Sequence, residues 1–358
     1  MQMQPISQKI DWLAALAERH GEAYRSPEAA LARTRYLSQH PTAIGVFKCM
    51  DGRINLPVAT GMPVGILMPF RNLGGRFDLG WPHLGEVVTQ YVMDRVREGR
   101  RVLLMVTYHY SKSDAHRGCA GFGYDRAAAF AHTQQIRQQM ASVFGDGHDT
   151  VYPLVCGFET DEEALVLHGD AVQDDILDVA ALSATDSASD AKNLMHHLDA
   201  LFPAMPSGVK ADLLPLLQGN IRHVAEMREQ LRCGARQLDI EHREWMICLG
   251  RGFDFLHTPN LALIIGPYSP NLAEPIIKAA GIIEANMRSG RIPEDGFLLF
   301  SSVPFENIGV DRARAALKAR FLSEFARQVI AETYPHLATR MVDRTAVMDW
   351  NARRLSWL

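Results

Sequence analysis

The sequence has no excess of basic residues, no long apolar run and no paired-cysteine pattern. Lys and Arg number 37 against 41 Asp and Glu, giving a formal charge of −4 with no basic stripe. Nucleic acid and membrane are therefore not expected as partners. No apolar run approaches the ~20 residues needed to span a bilayer. The N-terminus MQMQPISQKIDWLAALAERH lacks the basic head and apolar core of a signal peptide. The five cysteines, at 49, 119, 156, 233 and 248, are odd in number and scattered. That excludes a disulfide framework and fits a reducing cytoplasm, where thiols stay available as metal ligands. What is present is ordinary for a globular protein: 47% hydrophobic and 22% charged residues over 358 positions, enough for two or three domains.

Residues 6–40 have helical apolar spacing, and Ser26-Pro27-Glu28 reads as an N-cap followed by proline at the first helical position. Beyond them strands and helices alternate. AIGVF leads into Cys49, VGILMPF into Arg71-Asn72-Leu73-Gly74, and RRVLLMVTYH into a polar loop, SKSDAHRGCAGFG. HLGEVVTQYVMDRVREG and DRAAAFAHTQQIRQQMASVFGD read as helices, and VYPLVCGFETDEEALVLHG as a hairpin turning at residues 159–162. This order predicts an α/β fold whose sheet is mainly parallel and flanked by helices. In such sheets ligands gather at the carboxyl ends of the strands.

The order of elements recurs after a Ser/Ala/Asp-rich linker at 181–193 and further helices. MICLGRGFDFL parallels FKCMDGRINL, with Cys248 set against Cys49, and LALIIGPYS parallels VGILMPFRN. FLLFSSVPF parallels VLLMVTYHY, and both helices that follow open on Asp-Arg. An internal pseudo-repeat is expected. The second copy offers Gly250 and Gly252 against Asp51 and Arg53, and its strand delivers no histidine. It is expected to carry no metal site.

Cys49, Asp51 and Arg53 stand at alternate positions, so in an extended segment they would share one face. Zinc takes thiolate and imidazole ligands in a tetrahedron and keeps one position for water when catalytic. Cys49 and Cys119 can supply two thiolates, and a histidine between them the third ligand. His109 ends the strand, while His116 stands three residues before Cys119. Arg53 can hold Asp51 in a bidentate pair. Arg71 and Asn72 read as braces of the fold.

Cys-x-Asp-x-Arg, then Arg-Asn-x-Gly, then a strand into a His…Cys loop resembles the β-class carbonic anhydrases over about residues 40–170. The long gap from His109 to Cys119 and the degenerate second repeat are most like the carboxysomal shell-type members. The resemblance implies zinc-dependent reversible hydration of carbon dioxide to bicarbonate by metal-bound hydroxide, with one Zn2+ per chain. Cys49, His109 and Cys119 would be ligands, with His116 as the alternative histidine. Asp51 and Arg53 would order the water, and whether Asp51 can occupy the fourth zinc position is left open. Two thiolates donate more charge than histidines, so activity rising at alkaline pH is expected.

The expected organisation is a helical segment at 1–40, a catalytic domain at 41–180, linker and helices at 181–240, and a degenerate repeat at 241–358. A related hydrolase of carbonyl sulfide or carbon disulfide, and a zinc-stabilised scaffold without activity, are the alternatives. The expected location is cytoplasmic and a homo-oligomer is compatible with the reading. Carboxysome association is left open, because shell-type enzymes carry a long recruitment arm, whereas about 40 helical residues precede the first motif here.

Overall fold

The computed structural model describes residues 3–145, 149–170, 175–182, 190–233, 242–253, 255–256 and 260–358. Two helices open the chain, α1 (Ile6–Arg25) and α2 (Pro27–Gln39), and the Ser26 hydroxyl accepts the Ala29 N–H at the second helix's start. Then follow β1 (Ala43–Cys49), α3 (Leu56–Ala59), β2 (Leu67–Asn72), α4 (Pro82–Arg97), β3 (Val102–Tyr110) and α5 (Arg126–Phe144). β4 (Val151–Glu159), β5 (Ala164–His168) and β6 (Ile176–Asp178) complete a first sheet. α6 (Val179–Leu182), α7 (Ala191–Leu201) and α8 (Ser207–Arg232) lead to the second half. There β7 (Met246–Gly250), β8 (Ala262–Ile265), α9 (Ala273–Arg288) and β9 (Phe297–Phe305) come first. α10 (Val310–Thr333), α11 (Pro335–Ala338), β10 (Met341–Asp349) and β11 (Arg354–Trp357) follow. Most of the expected linker falls on residues 183–189, outside the described residues.

The first sheet runs β2-β1-β3-β4-β5-β6, parallel from β2 to β4 and antiparallel beyond. The second runs β8-β7-β9-β10-β11, parallel except for β11. Central strands such as VLLMVTYHY are buried along their whole length, because helices cover both faces of a parallel sheet. The fold is α/β, with mainly parallel sheets flanked by helices and a helical N-terminal segment.

The two sheets share one strand order, consistent with an internal pseudo-repeat. β3 and β9 are each nine residues long and pair residue for residue with β4 and β10. Both hairpins then turn through a residue with positive φ, Glu163 (56°) and Arg353 (50°). This register corrects the sequence alignment. Leu103 lies opposite Ile44, and its counterpart Leu298 lies opposite Met246. Counting on, Cys49 corresponds to Arg251, Asp51 to Phe253, Arg53 to Phe255 and His109 to Pro304. Cys248 corresponds to Val46 and is a buried core residue. Matching cysteine to cysteine displaces the alignment by three positions from the register that the sheets set.

The halves join at a backbone edge. The N–H groups of Asn260, Ile264 and Gly266 donate to the carbonyls of Gly52, Met50 and Arg71 at 3.1, 3.1 and 2.8 Å. Gly52 has to be glycine here, since a Cβ would lie 2.6 Å from the Ala262 carbonyl oxygen. One apolar cluster continues across the junction, from Val46, Leu103 and Met105 to Ile264 and Phe300. α8 is pinned to the first half by Asn220, whose amide donates to the Ala59 and Glu163 carbonyls and accepts the Leu165 N–H.

Behind the first sheet, buried His168 meets the Tyr108 hydroxyl at 2.8 Å. Burial, with Arg126 nearby, pulls its pKa down to about 4. A histidine depressed in the folded state binds its proton first in the unfolded chain. Its contribution is therefore intact above the ordinary value of 6.5 and is lost as pH falls from there to about 4. The loss is at most about 3 kcal/mol. Denaturant titrations across this window should show His168→Gln, which keeps a partner for Tyr108, losing less stability in acid than the parent. Equal acid slopes would contradict the assignment.

Candidate metal centre

β1 ends at Cys49, and the chain turns at once. The expectation that Cys49, Asp51 and Arg53 share the face of an extended strand is therefore corrected. Asp51 folds back instead, its Oδ1 accepting the Arg53 backbone N–H at 2.8 Å. The guanidinium then grips both oxygens, Nε to Oδ1 at 3.0 Å and Nη2 to Oδ2 at 2.6 Å. A short polar side chain bonding the backbone two residues on is a common turn device. The turn is braced from below by Lys48, whose Nζ donates to the Ile54 carbonyl at 2.7 Å. Burial, followed by the Arg71 charge, pulls the Lys48 ammonium well below its ordinary range. Asn72 braces the next loop, donating to the Arg76 carbonyl at 2.8 Å.

His109 stands at the end of β3 and is 2% exposed, on the same strand face as Leu103 and Met105. Cys119 comes from the loop beyond and is 3% exposed. That loop lies hard against the one after β2. A Cβ on Gly121 would sit 2.5 Å from the Gly74 Cα, and Gly74 itself has φ of 66°. Two glycines in contact let backbone meet backbone where side chains would hold the loops apart.

Cys49, His109 and Cys119 thus converge, their ligand atoms all within 4.8 Å of one another. Among the described residues neither ring nitrogen of His109 has a hydrogen-bond partner, although the ring is buried. Buried polar atoms left in this state are costly unless something further binds them. The hydrogen bond with Cys119, together with burial, pushes the Cys49 thiol well up, while the same bond pushes Cys119 down. Two thiols and one imidazole are the donor types zinc takes, with a fourth position left for water or substrate. His116 is exposed, its ring 5.5 Å from that of Tyr124, and is not part of the cluster.

Asp51 lies beside the cluster, Oδ2 3.9 Å from His109 Nε2. Burial disfavours its charge, but Arg53 outweighs this, with His242 and His109 adding to it, and holds the carboxyl well below the usual carboxylate range. Burial likewise disfavours the guanidinium, and Asp51 more than compensates.

The second half contributes what sequence reasoning missed. His242 and Glu244, just before β7, bring their ligand-type atoms within 4.8 Å of each other and of Asp51. His242 Nδ1 meets the Glu244 carboxylate at 3.0 Å. Burial opposes its charge, but Glu244 outweighs burial and holds the imidazole above its ordinary range. Lys278 and Ile282 of α9 and Leu263 of β8 complete a small cleft around Cys49, Asp51 and His109. An outer cleft continues past His242 and Lys278 to His116, Tyr124 and Tyr334. The one signal for His242 was the alternating His-x-Glu in EHREW, in the half judged inert.

Comparison with curated proteins returned no match. Comparison with protein families returned the carboxysome shell carbonic anhydrase catalytic domain, matched by residues 83–204. The matched stretch contains His109 and Cys119, and the Cys49 turn precedes it. Over residues 83–204, then, the chain is similar to the catalytic domain of the carboxysome shell carbonic anhydrases.

Proposed function

We propose that this protein is a zinc-dependent carbonic anhydrase that interconverts carbon dioxide and bicarbonate. One zinc ion per chain would be held by Cys49, His109 and Cys119. The observation that carries the reading is the convergence of two thiols and an unpartnered, buried imidazole at one point. A zinc ion bound there supplies a Lewis acid that activates water near neutral pH.

The chain's own residues supply the rest. Both Asp51 oxygens are engaged by Arg53, so the carboxylate is fixed as an acceptor for the reacting water's hydrogen bond and is kept off the metal. Leu73, Leu263 and Ile282 offer carbon dioxide an apolar wall and keep bulk water out. His242, held by Glu244, takes protons towards the outer cleft, where His116 meets solvent.

In this reading residues 41–180 form the catalytic domain and 241–358 a degenerate repeat derived by duplication. The segment 1–40 and the helices of 181–240 support them. In this reading the protein works in a reducing compartment, the cytoplasm or a carboxysome within it, which suits its free thiols. No described helix is long and apolar enough to cross a membrane.

Metal analysis alongside stopped-flow hydration tests the reading. The parent should carry one zinc per chain and hydrate carbon dioxide. Cys49→Ala, His109→Ala and Cys119→Ala should lose both, and His116→Ala should keep its zinc. Zinc retained by His109→Ala but lost by His116→Ala would overturn the ligand set. Zinc bound without hydration at any pH would leave a scaffold in place of an enzyme.

Arg53→Ala strands a carboxylate that is 4% exposed and should cost about 3 kcal/mol in denaturant unfolding. The double variant Asp51→Ala/Arg53→Ala should recover a substantial part of that loss. Additive losses from the two single variants would show that the pair is not coupled.

A further inference from the structure

The small cleft at Cys49, Asp51 and His109 joins the outer one at a neck lined by Leu73, Ala120, Gly121, His242, Lys278 and Ile282. Only two of these side chains can carry charge, and His242 is engaged by Glu244 at 3.0 Å. Lys278 is exposed and makes no hydrogen bond or ion pair among the described residues. Glu274, one turn before it on α9, stands where a helical glutamate ordinarily pairs with lysine. Instead Glu274 meets Arg76 at 3.2 Å. The other acids of the two clefts are answered as well, Asp51 by Arg53 and Glu284 by His336 at 2.7 Å. Arg291 lines the outer cleft alone and gives its Nε to Ser289 at 2.6 Å. The neck is left with one unanswered positive charge on a flexible stem.

That charge separates the two partners of the proposed reaction. Carbon dioxide is neutral and needs only the apolar wall of Leu73, Leu263 and Ile282. Bicarbonate is an anion and has to leave bulk water to reach the same place. Two thiolates cancel the charge of a divalent ion, so the donor set of Cys49, His109 and Cys119 offers an anion no net attraction. The Asp51–Arg53 pair, being neutral as a whole, offers none either. The attracting cation must therefore stand outside both. An ammonium with three donors at the neck meets that need.

We propose that Lys278 is the bicarbonate-binding residue of the neck, pairing with the anion as it enters or leaves the inner cleft. This role rests on the carbonic anhydrase reading and adds to it a group that acts on one reactant and not on the other.

Lys278→Met keeps the stem and removes the charge, Lys278→Glu reverses it, and Lys278→Arg restores it. Thiocyanate titrated into the cobalt-substituted protein, followed by visible absorption, reads anion affinity without turnover. Lys278→Met should weaken thiocyanate about fivefold and Lys278→Glu further, with Lys278→Arg within about twofold of the parent. The differences should shrink as salt rises, because the charge is exposed. In stopped flow with zinc, Lys278→Met should raise the KM for bicarbonate about fivefold and move that for carbon dioxide by less than about twofold. Zinc content and melting temperature should not change. Equal thiocyanate affinity in Lys278→Met and the parent would overturn the proposal and leave the carbonic anhydrase reading intact. So would a loss of affinity that Lys278→Arg fails to restore. A parent that neither takes up metal nor hydrates carbon dioxide would overturn that reading, and the role of Lys278 with it.

Discussion

The site depends on the backbone edge at which the second half meets the turn after β1. Three N–H groups of the β8 segment donate to the carbonyls of Met50, Gly52 and Arg71, and these bonds hold the turn where Asp51 and Arg53 are closed off from solvent. Without that cover the Asp51–Arg53 pair would be a surface ion pair of little consequence. Beneath it the same pair fixes a charged acceptor beside two thiols and an imidazole. The second half supplies cover for the turn, part of the cleft wall and the His242–Glu244 pair. Its contribution is position and low dielectric as much as chemistry.

Glycines set how closely the parts approach. Gly74 and Gly121 let the two loops carrying the site touch through backbone, and Gly52 lets the turn lie flat on β8. Neither contact is strong, but a Cβ on Gly121 or Gly52 would lie 2.5 or 2.6 Å from the facing backbone and force the segments apart. Side chains that converge as closely as Cys49, His109 and Cys119 tolerate no such gap.

Much of this was legible in the sequence, for identifiable reasons. The alternation of apolar runs with amphipathic stretches gave both sheets, because parallel strands buried on two faces read as continuous hydrophobic runs. Cys49, Asp51, Arg53, His109 and Cys119 stood out because such residues have no structural reason to punctuate strand ends. The shared face inferred for the first three was wrong in its geometry. The strand stops at Cys49, and the Asp51 side chain rebuilds the chain as a turn, which periodicity cannot foresee. Cys248 misled the repeat alignment because sulfur is conspicuous in a sequence, while sheet register, set by hydrogen bonds along β7 and β9, is not. His242 was missed because it comes from the half without a motif, and only the folded chain brings it to Asp51.

Two sulfurs and one imidazole of the first half are proposed to bind a single zinc ion, and X-ray absorption at the zinc edge of the intact, reduced protein reads those neighbours. One zinc per chain with two sulfur and one histidine nitrogen neighbours, the sulfurs at about 2.3 Å, is the expected result. A zinc surrounded by oxygen and nitrogen alone, or protein that takes up no zinc while folded, would contradict it.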